Sequence, residues 1–155
     1  MRIEGVFRVA APRAAVWRKI TDPALMAECI PGCQAIEKLS PTRYAAKVAV
    51  GIGPIKATFN LTVEVTREEP PERVLSQTRG EEGSRASIVS AENTLALTVI
   101  DEETTEVSYL SEVAVSGRLG KFGLGVMKKK AAAMGDEFVE AFRARVTNGL
   151  APAGS

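Results

Sequence analysis

Histidine is missing from the sequence altogether. Its absence removes the commonest general base at neutral pH and the commonest zinc ligand. Cysteine is scarce: Cys29 and Cys33 are the only two, too few for a disulfide scaffold. A tetrahedral metal site would need two further soft ligands, and neither a histidine nor a third cysteine exists to supply them. No metal is therefore expected. The pair reads as two small, semi-buried hydrophobes flanking the Ile30-Pro31-Gly32 turn, kept reduced in a cytosol. No stretch approaches the roughly 20 apolar residues that a spanning helix needs. The opening Met1-Arg2-Ile3-Glu4 lacks the apolar core of a signal peptide, so a cytoplasmic location is expected. Excess charge of one sign is also lacking. A formal net charge of +1 gives no cationic surplus for nucleic acid, and no Lys/Arg run interleaves with aromatics.

What remains is an ordinary globular composition in 155 residues, 45% hydrophobic and 25% charged. That length fits one domain with room for a core and a cavity. Ile3 to Val9 alternates as a first strand. Pro12 suits the first turn of a short helix carrying Val16, Trp17 and Ile20 on one stripe. Asp22 is a plausible N-cap for a second short helix, which Pro31-Gly32 ends. Tyr44, Ala46, Val48, Val50 and Ile52 then share one face of a strand, and Gly51-Ile52-Gly53-Pro54 marks a turn. Ile55 to Thr66 alternates apolar and polar residues without a fault. Pro70-Pro71 breaks that strand. Further strands are expected over Val74–Thr78, Ala86–Ile100 and Val107–Val115, with Asp101-Glu102-Glu103 as a hairpin turn. The stretch from Ile88 to Leu95 changes phase, which predicts a bulge.

From Leu119 to Val146 the period becomes helical, with Phe122, Val126, Met134, Phe138, Phe142 and Val146 on one row that Lys130 interrupts. Asn148-Gly149 reads as the helix stop, so residues 1–147 form the domain and 148–155 a disordered tail. An antiparallel sheet must cover its apolar face, and only the last helix is long enough to do so. The fold class is therefore α+β: a curved antiparallel sheet around a long C-terminal helix, with an apolar cavity in the gap. Gly117, Gly120, Gly123 and Gly125 invite a phosphate-loop reading, but they follow the last antiparallel strand rather than opening a βαβ unit. They fit close packing or access better. Glu64, Glu68, Glu69, Glu81, Glu82, Asp101, Glu102 and Glu103 fall on outward positions or turns, and Glu112 is out of phase with the apolar face of its strand. No catalytic carboxylate pair is therefore expected.

Three separated motifs resemble a known family. Phe7-Arg8-Val9-Ala10-Ala11-Pro12 with Val16-Trp17 and Ile20-Thr21-Asp22-Pro23 looks like the opening of the START-like (SRPBCC) superfamily. Cys29-Ile30-Pro31-Gly32-Cys33, the Val50-to-Ala57 hairpin and the Val115-to-Gly123 stretch resemble the CoxG-type family, named for carbon monoxide dehydrogenase. The resemblance implies a helix-grip fold with an apolar cavity, no enzymatic activity, and an accessory role beside a molybdenum hydroxylase of the carbon monoxide dehydrogenase type. Many members carry a C-terminal extension thought to reach the membrane.

The expected function is thus a non-enzymatic carrier of a lipophilic molecule, an isoprenoid quinone of the menaquinone type, held as ligand rather than as resident cofactor. Cavity contacts are expected from Val48, Val50, Phe59, Leu61, Leu97, Tyr109, Val113, Phe122, Gly123, Val126, Met127 and Met134, a lining without obvious charge, with the mouth near Gly120–Val126. Arg118, Lys121 and Lys128 are candidates for docking onto anionic lipid at the inner face of the cell membrane, or onto an acidic partner. The competing expectations are an assembly or membrane-recruitment factor with a vestigial cavity, and a polyketide cyclase-like enzyme.

Overall fold

The computed structural model describes residues 1–82 and 86–150. The chain runs β1 (Arg2–Val9), α1 (Arg13–Ile20), α2 (Pro23–Cys29), β2 (Cys33–Lys38), β3 (Arg43–Ile52), β4 (Ile55–Glu69), β5 (Arg73–Glu82), β6 (Ser87–Asp101) and β7 (Thr104–Gly117). A 3-10 turn (Leu119–Phe122) and the long helix α3 (Gly123–Leu150) complete it. Asp22 caps α2 as its sequence suggests, its carboxylate accepting from the Ala24 N–H at 3.0 Å.

One sheet holds all the strands, in the order β1-β7-β6-β5-β4-β3-β2, every neighbour antiparallel. Strands β2 to β7 form a simple meander. The first strand closes the far edge beside β7, so α1 and α2 must carry the chain from one edge of the sheet to the other. Strands of 14 or 15 residues would make a flat sheet gape. Bulges between Cys33 and Ala35, Val65 and Arg67, and Val99 and Asp101 bend it instead.

Three expectations change here. Strand β2 has no counterpart in the sequence pattern, because Ile36 is the one apolar residue in Cys33–Lys38 that turns inward and alternation is too short to register. The expected bulge in Ile88–Leu95 is absent: that stretch pairs with both neighbours in unbroken register, and the bulge of β6 lies at its far end. Ile88 points outward and Asn93 inward, which imitates a phase change without one. The long helix begins at Gly123, after a 3-10 turn, because Gly123 takes a φ of +82° that interrupts the helical path. It also runs through Leu150, past the stop expected at Asn148-Gly149, while residues 151–155 of the expected tail lie outside the described residues.

Two apolar cores close the ends of the sheet. Phe7, Val9, Val16, Leu97, Val107, Phe142 and Val146 pack where α1 and the C-terminal half of α3 meet β1, β6 and β7. Ile52, Ala57, Phe59 and Leu119 pack at the β3–β4 turn. The sheet between them is not filled.

Candidate functional site

Between the two cores lies a cavity of about 660 Å³, a size within the range of small-molecule pockets. The inward faces of β3 to β7 form its floor, Ile20, Met26 and Ile30 one side, and Met127, Lys130, Ala131, Met134 and Phe138 of α3 its roof. Period-two alternation explains why so many strand residues contribute: each strand offers every second side chain to the concave face. Leu61, Val63 and Phe138 are only half-buried because they face this space rather than each other.

Of the residues expected in the lining, Val48, Val50, Phe59, Leu61, Tyr109, Val113, Met127 and Met134 do line it. Four do not. Leu97 is buried in the core beneath α1 and Phe142, one step too far along β6. Phe122 packs with Leu119 against the β3–β4 turn, sealing that end from outside. Gly123 faces open space, and Val126, 45% exposed, lies on the solvent side of α3. Phe122, Gly123 and Val126 therefore lie outside the cavity. The expected helical row extends a turn too far toward the N-terminus, where the 3-10 turn resets its phase.

The lining is not free of polar groups. Lys130 and Glu68 border the cavity, so charge stands where a lining without it was expected. Ser76, Thr78, Asn93 and Ser111 form a neutral polar stripe across β5, β6 and β7. Ser76 pairs with Asn93, and Asn93 with Ser111, in one cross-strand row. The Asn93 Nδ2 donates to Thr78 Oγ1 at 3.0 Å and to Ser76 Oγ at 3.3 Å, and Ser111 Oγ donates to Asn93 Oδ1 at 2.8 Å. Sequence reasoning misses these residues because polarity ordinarily marks the outward face. Strand parity held the signal: Asn93 shares its face with Val89, Leu95 and Leu97, and Ser111 with Tyr109 and Val113.

Tyr109 stands at the seam between α3 and β1. A side chain on Gly5 would collide with its ring, and a Cβ on Gly135 would come within 3.0 Å of its hydroxyl. It borders the cavity on one side and, on the other, a surface groove lined by Arg2, Lys128, Asp136 and Arg143.

Of the expected docking residues, Lys121 and Lys128 are exposed. Arg118 is committed elsewhere: its guanidinium pairs with Glu82, Nε lying 3.4 Å from Oε1. Pattern places Glu82 in solvent, yet it is 4% exposed. The Arg118 guanidinium and then the Ser87 hydroxyl hold its carboxyl below the usual glutamate range. The pair ties the end of β5 to the start of the 3-10 turn. Cys29 is buried in the first core and Cys33 half-buried on β2. Burial pushes both thiols up, away from the reactive thiolate. Among the described residues, no three metal-binding side chains cluster, and no helix is long and apolar enough to cross a membrane.

The fold has close relatives of known structure. A conserved protein from Geobacillus kaustophilus is 26% identical and superposes with a TM-score of 0.88, covering 96% of each chain. A START superfamily protein from Mycobacterium smegmatis, 14% identical, gives 0.74 over 95% of this chain and 97% of its own. The ZhuI aromatase/cyclase from Streptomyces sp. R1128, also 14% identical, gives 0.73 over 100% and 98%. No curated protein matches the chain. The START-like helix-grip fold is thus established, and the model of the carbon monoxide dehydrogenase G-subunit (CoxG) family matches residues 5–147, so the chain belongs to that family.

Proposed function

We propose that the protein carries a lipophilic small molecule, an isoprenoid quinone of the menaquinone type, for a molybdenum enzyme of the carbon monoxide dehydrogenase type. The observation that carries this reading is the cavity of about 660 Å³ with its predominantly aliphatic, aromatic and thioether walls. Burying a prenyl tail there gains about 25 cal/mol per Å² of apolar surface. Met127 and Met134 in the roof can follow a flexible tail. Polar substrates would lose water against most of this wall without regaining hydrogen bonds. The chain's own part is to bind, enclose and release, and redox chemistry belongs to the quinone. The family's name, taken from carbon monoxide dehydrogenase, supports that partner class. Exposed Lys121, Lys128 and Lys129 beside Val126 would let the outer face of α3 rest on the anionic inner leaflet where such quinones reside.

Mass spectrometry of organic extracts from the purified protein tests the reading, together with titration of the emptied protein with menaquinone-4. The expected result is one prenylated quinone per chain and micromolar or tighter binding. If the extracts are empty and menaquinone-4 fails to bind at micromolar concentration, the carrier reading is wrong. The recruitment reading would then rest on the basic face of α3, with vesicle binding abolished by Lys128→Glu and Lys129→Glu. A cyclase would have to draw its acid and base from Glu68 and Lys130 at the cavity border, which predicts turnover that Glu68→Gln or Lys130→Met abolishes. Ser76, Thr78, Asn93 and Ser111 offer hydrogen bonds only.

A further inference from the structure

We infer that the polar stripe is a carbonyl-recognising subsite, in which the Ser76 and Thr78 hydroxyls donate to a neutral acceptor oxygen on an otherwise apolar ligand. The inference rests on the carrier reading and names the functional group that the cavity selects.

Its logic lies in the direction of the hydrogen bonds. A carboxamide has two N–H donors, and Asn93 directs both at hydroxyl oxygens, Thr78 Oγ1 and Ser76 Oγ. Each of those oxygens accepts a hydrogen bond and therefore keeps its own O–H to give. Neither hydroxyl donates to another protein group among the described residues. Ser111 is oriented the other way, its proton already given to Asn93 Oδ1. The amide thus fixes the polarity of the whole row. A network with a purely structural role would close on itself, whereas this one ends in two unengaged donors on the cavity wall.

Those donors sit in mainly apolar surroundings, where an unmatched O–H is costly and a matched one is correspondingly selective. The stripe contains no cationic side chain. Among the described residues, the cationic groups bordering the cavity belong to Lys130 on α3 and to the Met1 ammonium, which donates to the Val113 carbonyl at 2.8 Å. A carboxylate at the stripe would shed its hydration for two neutral donors. A ketone or quinone carbonyl gives up far less and gains both hydrogen bonds. The register places the stripe in the middle strands, with Val65 beside Ser76 on one side and Ile3 beside Ser111 on the other, so apolar wall flanks it at both ends. A carbonyl-bearing ring would lie over the stripe with its alkyl tail along that wall.

The test uses two probes of similar shape, one with acceptor oxygens and one without, 2-decyl-1,4-naphthoquinone and 2-decylnaphthalene, titrated calorimetrically. Truncating one hydroxyl would bare the Asn93 amide, so the decisive variant makes the stripe wholly apolar: Ser76→Ala, Thr78→Val, Asn93→Leu and Ser111→Ala combined. The expected result is a loss of roughly tenfold or more in naphthoquinone affinity with naphthalene affinity undiminished. Equal changes for both probes, or no change for either, would overturn the subsite. A second readout needs no variant: the carbonyl stretch of the naphthoquinone bound to wild type should fall below its value in hexane. An unshifted band would overturn the inference even if the variant failed to fold. Binding of naphthalene alone would refute the subsite and leave the carrier standing; binding of neither probe would refute both.

Discussion

Phe138 and Phe142 offer a paired measurement of where the core stops and the cavity begins. They lie one turn apart on α3, their rings stacked with centroids 5.7 Å apart. Both meet Phe7 edge-on, at 6.5 and 6.2 Å. Their surroundings differ. Phe142 has 0% exposure and is enclosed by the first core, whereas Phe138 borders the cavity. Phe142→Ala leaves a new void in close-packed surroundings and should cost about 3–5 kcal/mol, a large part of the stability of an ordinary domain. Phe138→Ala loses contact with two rings but adds its volume to space that already exists, so about 1–2 kcal/mol is expected. At about 2–4 °C per kcal/mol for a domain of this size, Phe142→Ala should lower Tm by about 10 °C or more and Phe138→Ala by a few degrees. Thermal melts followed by circular dichroism, with urea titrations at 25 °C, would measure both. Menaquinone-4 affinity should change for Phe138→Ala and hold for Phe142→Ala below its melting range. Equal destabilisation by the two variants would mean that α3 and the sheet meet in a solid core around Phe138, and the cavity argument would fall.

Two other predictions follow from local chemistry. The Glu82 carboxyl has a lower pKa in the folded than in the unfolded chain, so its contribution is complete above the ordinary glutamate value of about 4.3 and vanishes as pH falls through the depressed one. Urea midpoints of wild type and Glu82→Gln, measured from neutral to acid pH, should converge at the acid end; curves that stay parallel would refute the linkage. Among the glycines, Gly32 has a φ of +76° and a Cβ there would run into the Ala49 carbonyl, whereas nothing lies within 4 Å of a Cβ on Gly125. Gly32→Ala should therefore destabilise by about 2 kcal/mol or more. Gly125→Ala, on an open face of α3, should stabilise by up to about 1 kcal/mol. Differential scanning calorimetry would show shifts of opposite sign, and shifts of like sign would contradict the backbone argument.

The sheet, its long central strands and the covering helix were legible in the sequence because each rests on a sustained period. Ile55 to Thr66 alternates without a fault, and Phe138, Phe142 and Val146 keep helical spacing into the first core. Features that depend on contact between distant segments were not legible. Glu82 is buried because Arg118, far along the chain, reaches it. Leu97 and Val126 carry the right residue types, but depth along β6 and the phase reset at Gly123 put them outside the lining. The polar stripe was hidden for a different reason. A cavity tolerates inward polar side chains that a packed core would reject, so the rule that reads strand faces from hydrophobicity breaks down where function sits.

Tyr109 gives the molecule a second, hidden geometry. With Gly5 on one side and Gly135 on the other, its ring stands with Ile3 and Ala131 between the chamber and the outer groove along β1. A blind sac must admit and discharge its contents through the same port, tail first one way and head first the other. Were that ring to swing aside, the sac would become a passage. A long molecule could then leave at the opposite end from the one it entered, without reversing its direction. The two glycines leave the room that the ring occupies, so a side chain at Gly5 would push that wall out of place.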